Sequence, residues 1–172
     1  MKHIIIVGGS FAGVETAHRI LKQAVETSTA PLKITLVSRD SHFYWNIAAP
    51  RGIVPGQLSD EQLLQPIVAG FSQYPSSQLE FVLGTAMGVD SASKQLRVSE
   101  TGGREIVLDY DFLIIGTRAS TKADTPFKSR GPTKVTKEAL HDYQARIKAE
   151  KTIAVAGAGP TGVETASEPA FE

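Results

Sequence analysis

One short pattern is written twice in this chain. GGSFAGVETA occupies residues 8–17 and GAGPTGVETA residues 157–166, and the pentapeptide GVETA is identical in both. Each copy follows a β-branched run, IIIV at 4–7 and IAVA at 153–156. Runs of that kind are expected as buried parallel strands. Each copy leads into a stretch rich in Ala, Glu and Thr that can be helical. The expectation is therefore strand, glycine-rich turn, helix, made twice in an α/β fold.

The spacing of the glycines carries chemistry. In G-x-G-x-x-G the first glycine allows a tight turn and the second lets backbone approach a pyrophosphate. The third lets helix pack on strand, and the phosphates sit on the free N–H groups of the helix. The second copy matches fully with Gly157, Gly159 and Gly162. The first reads Gly8, Ser10 and Gly13, with a serine whose hydroxyl can donate to a phosphate oxygen. One such match alone is weak, but two copies, each between a β-run and a helix, point to two dinucleotide sites. An acid is expected at the end of the second strand, to bind ribose. Ser38 holds that position, followed by Arg39 and Asp40. Asp40 either substitutes for the acid or starts the next turn. Arg39 either meets a phosphate or is solvated.

Other elements follow from local signals. A helix is expected from about Gly13 to Glu26, broken over 27–31, and then a strand at 33–37 (KITLV) closes a βαβ unit. After an irregular stretch at 41–56, a helix capped at Ser59 is expected through Leu63, Leu64 and Ile67. Strands are expected at Phe81–Leu83, around a Gly102-Gly103 turn, and as a buried strand at Phe112–Ile115. Thr136 is expected to cap a helix running to about Lys151, with Ala139, Leu140, Tyr143 and Ile147 on one face. The second unit is expected to be incomplete. The chain after Gly157 runs only to Glu172, short of the roughly 30 residues a βαβ unit takes, and Pro169 interrupts its helix. The organisation read from this is a first domain over 1–120 and a crossover helix with the start of a second domain over 121–172, expected as an N-terminal portion of a longer protein or a truncated gene product.

Composition narrows the function classes. Eighteen basic and eighteen acidic residues give a formal net charge of zero, a poor match to nucleic acid. Cysteine is absent, which excludes from this chain a disulfide framework, thiolate metal sites and a CxxC redox pair. The four histidines (His3, His18, His42, His141) are scattered, so no metal site is expected. Ile4–Val7 is too short for a signal or membrane segment, and the chain reads as soluble and cytoplasmic. The aromatic run His42–Trp45 reads as packing.

Four segments, IIIVGGSFAGVETA at 4–17, HFYWNIAAPR at 42–51, YDFLIIGT at 110–117 and IAVAGAGPTGVETASE at 153–168, together resemble the FAD-dependent pyridine nucleotide oxidoreductases. Within them the chain is most similar to the apoptosis-inducing-factor-like group, which includes AMID-like and ferroptosis-suppressor-like proteins. The resemblance covers essentially the whole chain. It implies a Rossmann-like FAD-binding domain, a parallel sheet with a small antiparallel meander, and the start of a second Rossmann-like domain for NAD(P)H. It implies that Gly8, Gly9, Ser10, Phe11, Ala12 and Gly13 hold the FAD pyrophosphate, with Asp40, Arg51, Ala86 and Thr117 as further cofactor contacts. Gly157, Gly159 and Gly162 would hold the NAD(P)H pyrophosphate, and Glu164 would be the catalytic residue near the nicotinamide–flavin junction. The implied chemistry is hydride transfer from NAD(P)H to FAD and electron release to a small acceptor, a quinone or oxygen.

Each position also has a plainer reading. Arg51 can be a surface arginine after Pro50, Ala86 a strand residue, and Glu164 an acid that favours the helix dipole. Two departures from the family pattern stand out: Arg118 replaces the usual Gly of the segment after the apolar run, and residues 1–172 stop short of where the family's late Gly-Asp motif is expected. Together with Ser10 and Ser38 they favour a rival reading, a non-catalytic dinucleotide-binding module. Another two-fingerprint flavoenzyme is a second rival, although the monooxygenase pattern lacks its His where Ala17 stands. A single-domain NAD dehydrogenase is disfavoured by the second fingerprint.

Overall fold

The computed structural model describes residues 1–27, 31–119 and 125–168. It contains two compact units, Met1–Phe43 with Pro66–Ala119, and Tyr44–Gln65 with Ser120–Glu172.

The first unit is built on β1 (Lys2–Val7), whose isoleucines and valine side by side give a strand that buries both faces. Helix α1 (Phe11–Thr27) follows, then β2 (Leu32–Ser38) and β3 (His42–Tyr44). In the second unit come α2 (Ala49–Gly52) and α3 (Asp60–Leu63), followed by the short β4 (Leu64–Pro66). The first unit resumes with β5 (Leu79–Asp90), β6 (Gln95–Glu100), β7 (Glu105–Asp109) and β8 (Phe112–Ile115).

Its six-stranded sheet has the order β7-β6-β5-β2-β1-β8. The four strands β5, β2, β1 and β8 run parallel, and β5, β6 and β7 form an antiparallel meander. Strand β5 serves both parts: Leu79–Leu83 pairs with β2, and Gly84–Asp90 pairs with β6. This is the expected parallel sheet with a meander, and the turn between β6 and β7 holds Gly102-Gly103.

Alternation along β1 divides the core. Ile6 packs with Ala17 and Leu21 of α1 and with Ile34, Leu36 and Phe71. Ile5 and Val7 face the other way, against Val37, Val82, Leu96 and Val98. On α1 the positions Val14, Ala17 and Leu21 fall on one face, the 3.6-residue spacing that a helix lying on a sheet needs. The strand expected to be buried at 112–115 is instead an edge strand. It pairs with β1 alone among the described residues, and Phe112 and Ile115 are exposed.

In the second unit Tyr44, Ala49, Ile53, Val54, Leu63, Leu64 and Leu140 form the core. The buried Tyr44 hydroxyl donates to the Pro126 carbonyl at 2.6 Å, and burial raises its pKa. Ser59 does cap α3, in a capping box with Gln62. That helix does not run through Leu64 to Ile67, however. Leu64 is extended (φ −120°, ψ 96°) and opens β4, and the helix does not resume beyond it, because Pro66 disfavours helical backbone at Gln65 and cannot donate.

Helix α4 (Thr133–Ala149) begins after Pro132, so Thr136 is not its cap. Thr136 is buried in the first turn, where its hydroxyl accepts from the Arg130 N–H at 3.1 Å and bonds the Ser129 hydroxyl at 3.1 Å. It fastens the entering loop, while Leu140, Tyr143 and Ile147 of the expected face pack in the core and Ala139, half-buried, is not among its residues. Residues 153–156 are not a strand, in contrast to the IIIV run. A strand exists only with a neighbour to bond, and no described strand pairs with this segment. Helix α5 (Pro160–Ser167) does follow the second glycine turn. The break at 28–30 and Pro169 lie outside the described residues. No helix among the described residues is long and apolar enough to cross a membrane.

Candidate functional site

The first glycine turn joins β1 to α1 in the first unit. Gly8 has φ +123° and donates its N–H to the Val37 carbonyl at 2.8 Å. A β-carbon there would overlap the Gly116 carbonyl oxygen, and one on Gly13 would overlap the Gly8 carbonyl oxygen. Gly116 donates to the Val7 carbonyl at 2.8 Å, and a β-carbon on it would stand 3.3 Å from the Gly13 nitrogen. Three glycines thus let the end of β1, the end of β8 and the start of α1 touch through backbone alone.

The helix start left bare in this way carries no acid in its first turn. Its leading N–H groups and positive dipole end suit an anion. A pyrophosphate fits this cradle, since side chains on the glycines would fill it. Ser10 sits at the mouth and accepts the Val14 N–H through its carbonyl at 2.9 Å. Phe11 is partly exposed and meets Phe43 edge-on, with ring centroids 4.7 Å apart, while Ala12 is exposed.

Ser38 lies beside this turn. A β-carbon on Gly9 would overlap the Ser38 hydroxyl and stand 2.7 Å from the Ile67 methyl. That hydroxyl donates to the Asp40 carbonyl at 2.8 Å and accepts the Asp40 N–H at 3.1 Å. The Asp40 side chain is buried and ion-paired with Arg118 at 2.6 Å. Asp40 is thus a buried, ion-paired carboxylate just beyond β2, and Arg39 is exposed. Thr117, next to Gly116, is exposed. Ala86 lies on β5 opposite Val98, beside a shift of register.

The second turn, in the second unit, repeats the backbone of the first. Gly157 has φ +124°, and a β-carbon on Gly162 would overlap the Gly157 carbonyl oxygen. Val163 donates to the Gly159 carbonyl at 3.0 Å, as Val14 does to Ser10. A cavity of about 520 Å³ opens here, lined by Gly157, Gly159, Thr161 and Gly162, with Arg146 and Tyr143 of α4 also on its wall. Glu164 is exposed on α5. In the same unit the Arg51 guanidinium forks onto Glu168, with three N···O distances of 3.0–3.1 Å. The Glu168 hydrogen bond and charge hold the Arg51 pKa above its ordinary value.

Two features were not singled out from sequence. Gly116 had a readable signal, a glycine closing an apolar run as Gly8 and Gly157 do. The Asp40–Arg118 pair joins residues far apart in the chain and left no local signal.

A family profile described as pyridine nucleotide-disulphide oxidoreductase matches residues 2–170. The chain is 60% identical to "Oxidoreductase ptaL" of Pestalotiopsis fici, over 100% of this chain and 46% of that protein. It is 25% identical to ferroptosis suppressor protein 1 of Mus musculus, over 96% of this chain and 40% of that one. The fold is shared with NDH2 of Plasmodium falciparum, solved in complex with NADH: TM-score 0.68, 20% identity, 98% of this chain and 37% of that one. The chain thus spans less than half the length of these relatives.

Proposed function

The chain belongs to the pyridine nucleotide-disulphide oxidoreductase family, and from that premise we propose that it serves an FAD-dependent NAD(P)H oxidoreductase, which moves a hydride from NAD(P)H to FAD and then passes electrons to a quinone or to oxygen. One observation carries the reading: two glycine turns of the same backbone geometry, with φ +123° at Gly8 and +124° at Gly157. Each has its third glycine closed onto the carbonyl of its first. Structural glycines placed at random would not share this arrangement.

On this reading the N–H groups of Gly9–Gly13 bind and orient the FAD pyrophosphate, and those following Gly157 do so for NAD(P)H. Arg51, Ala86 and Thr117 are the further flavin contacts, Asp40 belongs to the cofactor site at the end of β2, and Glu164 stands toward the nicotinamide. The bound flavin supplies the hydride acceptor and the route for electron release; the protein supplies orientation and electrostatics. The absence of cysteine leaves no disulfide relay within these residues. The division of labour is a flavin domain over 1–120 and an NAD(P)H segment over 121–172, working in the cytoplasm.

Visible absorbance of the purified chain with added FAD tests the first step. Saturable uptake with perturbed flavin bands is expected, and bleaching by NADH in a chain extended to the length of its relatives, with recovery on adding a quinone or air, completes the test. Uptake of FAD with no bleaching in that longer chain would favour the second reading, a non-catalytic nucleotide-binding module. Ser38 and Arg118, in place of the expected acid and glycine, are the observations that favour it. Fractionation of expressing cells checks the compartment.

A further inference from the structure

Strands β2 and β8 flank β1 on either side. Asp40 lies two residues beyond the end of β2, and Arg118 three beyond the end of β8. Their ion pair, 2.6 Å long, therefore passes over the carboxyl end of β1, where Gly8–Ser10 turn into α1. In open parallel sheets this end is where ligands lie. The Asp40 side chain is nearly closed to solvent at 9% exposure, and its backbone is locked to the Ser38 hydroxyl on both sides. The Arg118 side chain keeps 24% exposure at the crevice. A fixed carboxylate that holds a partly open guanidinium aims a cation and spares it the entropy of finding its position.

Resting on the FAD reading above, we propose that Arg118 is a binding residue for the diphosphate of the dinucleotide in the first turn, and that Asp40 is the positioning residue that aims it. Planar guanidinium groups suit phosphate oxygens. The helix start offers only neutral donors and a dipole, so Arg118 adds charge-assisted guanidinium donors that the glycine turn lacks, while its pairing with Asp40 keeps the site close to neutral before the diphosphate arrives. Arg118 also explains how Ser38 is tolerated: the buried acid at the end of β2 is engaged by Arg118, and affinity is drawn from the phosphate rather than from the ribose.

The test is FAD affinity of the chain, read by quenching of flavin fluorescence across a series of KCl concentrations, with thermal melting alongside. Arg118→Gln should raise the FAD dissociation constant about tenfold, the loss of one charge-assisted hydrogen bond, and flatten its salt dependence. Arg118→Lys should keep the salt dependence and recover part of the affinity. Arg118→Gln alone removes a cation from beside a buried carboxylate, so the double variant Asp40→Asn/Arg118→Gln, which removes both charges together, is the decisive one. A double variant that melts like the wild type but binds FAD with weakened, salt-insensitive affinity supports the proposal. Unchanged affinity and salt dependence would overturn it and leave the FAD reading standing. A folded wild type that takes up no FAD would overturn both.

Discussion

The carbonyl oxygen of Gly8 occupies the place a β-carbon on Gly13 would need. Gly13→Ala must therefore push α1 away from the end of β1, at a cost of about 1–3 kcal/mol, the usual range for overpacking. Chemical denaturation of the variant should show this, together with loss of FAD uptake. Gly70→Ala is the control, since no atom lies within 4 Å of its added carbon; its stability should change by less than about 0.5 kcal/mol.

Glu168 now holds the guanidinium that the FAD reading assigns to the flavin. Glu168→Gln should tighten FAD binding by releasing Arg51, and Arg51→Gln should loosen it. Both variants should melt like the wild type, because exposed ion pairs contribute little. A Glu168→Gln protein with weaker FAD binding would show instead that the carboxylate orients Arg51 rather than competing for it.

His18 stacks on Phe71 with ring centroids 4.1 Å apart, and burial lowers its pKa below the ordinary 6.5, against an opposing pull from Glu15. The folded state thus prefers the neutral ring. Its contribution is present above the unfolded pKa, and stability falls as pH drops from about 6.5 toward the lower folded value. Urea denaturation at pH 7.5 and 5.5 should show this fall, and His18→Leu should reduce it.

Amide exchange should separate the two apolar runs. Ile4–Val7 bonds strands on both sides and should exchange only on global opening. Residues 153–156 have no ladder, Ile153 and Val155 are exposed, and their amides should exchange orders of magnitude faster. Equal protection in both runs would contradict the structure.

Much of this architecture was legible because it is local. A β-branched run, glycines at fixed spacing and an apolar helix face specified β1, the turn and α1 within a few residues of one another. Candidate site residues were legible only as positions. Gly8, Gly13, Gly157 and Gly162 declared a backbone geometry, whereas Asp40 and Arg51 were ambiguous, since a charged side chain is defined by a partner that sequence does not name.

By itself, the sequence determined two glycine turns of one geometry, the helices that follow them, and the apolar alternation that makes β1 two-faced. These depend on φ, on β-carbon sterics and on short-range periodicity. The tertiary structure decided the rest. It made IIIV a strand and left IAVA without one, because a ladder needs a neighbour. Thr136 moved from cap to loop fastener because of where Ser129 and Arg130 fall. Asp40 met Arg118 only because β2 and β8 border the same central strand, a juxtaposition fixed by sheet order and by no residue nearby in the chain.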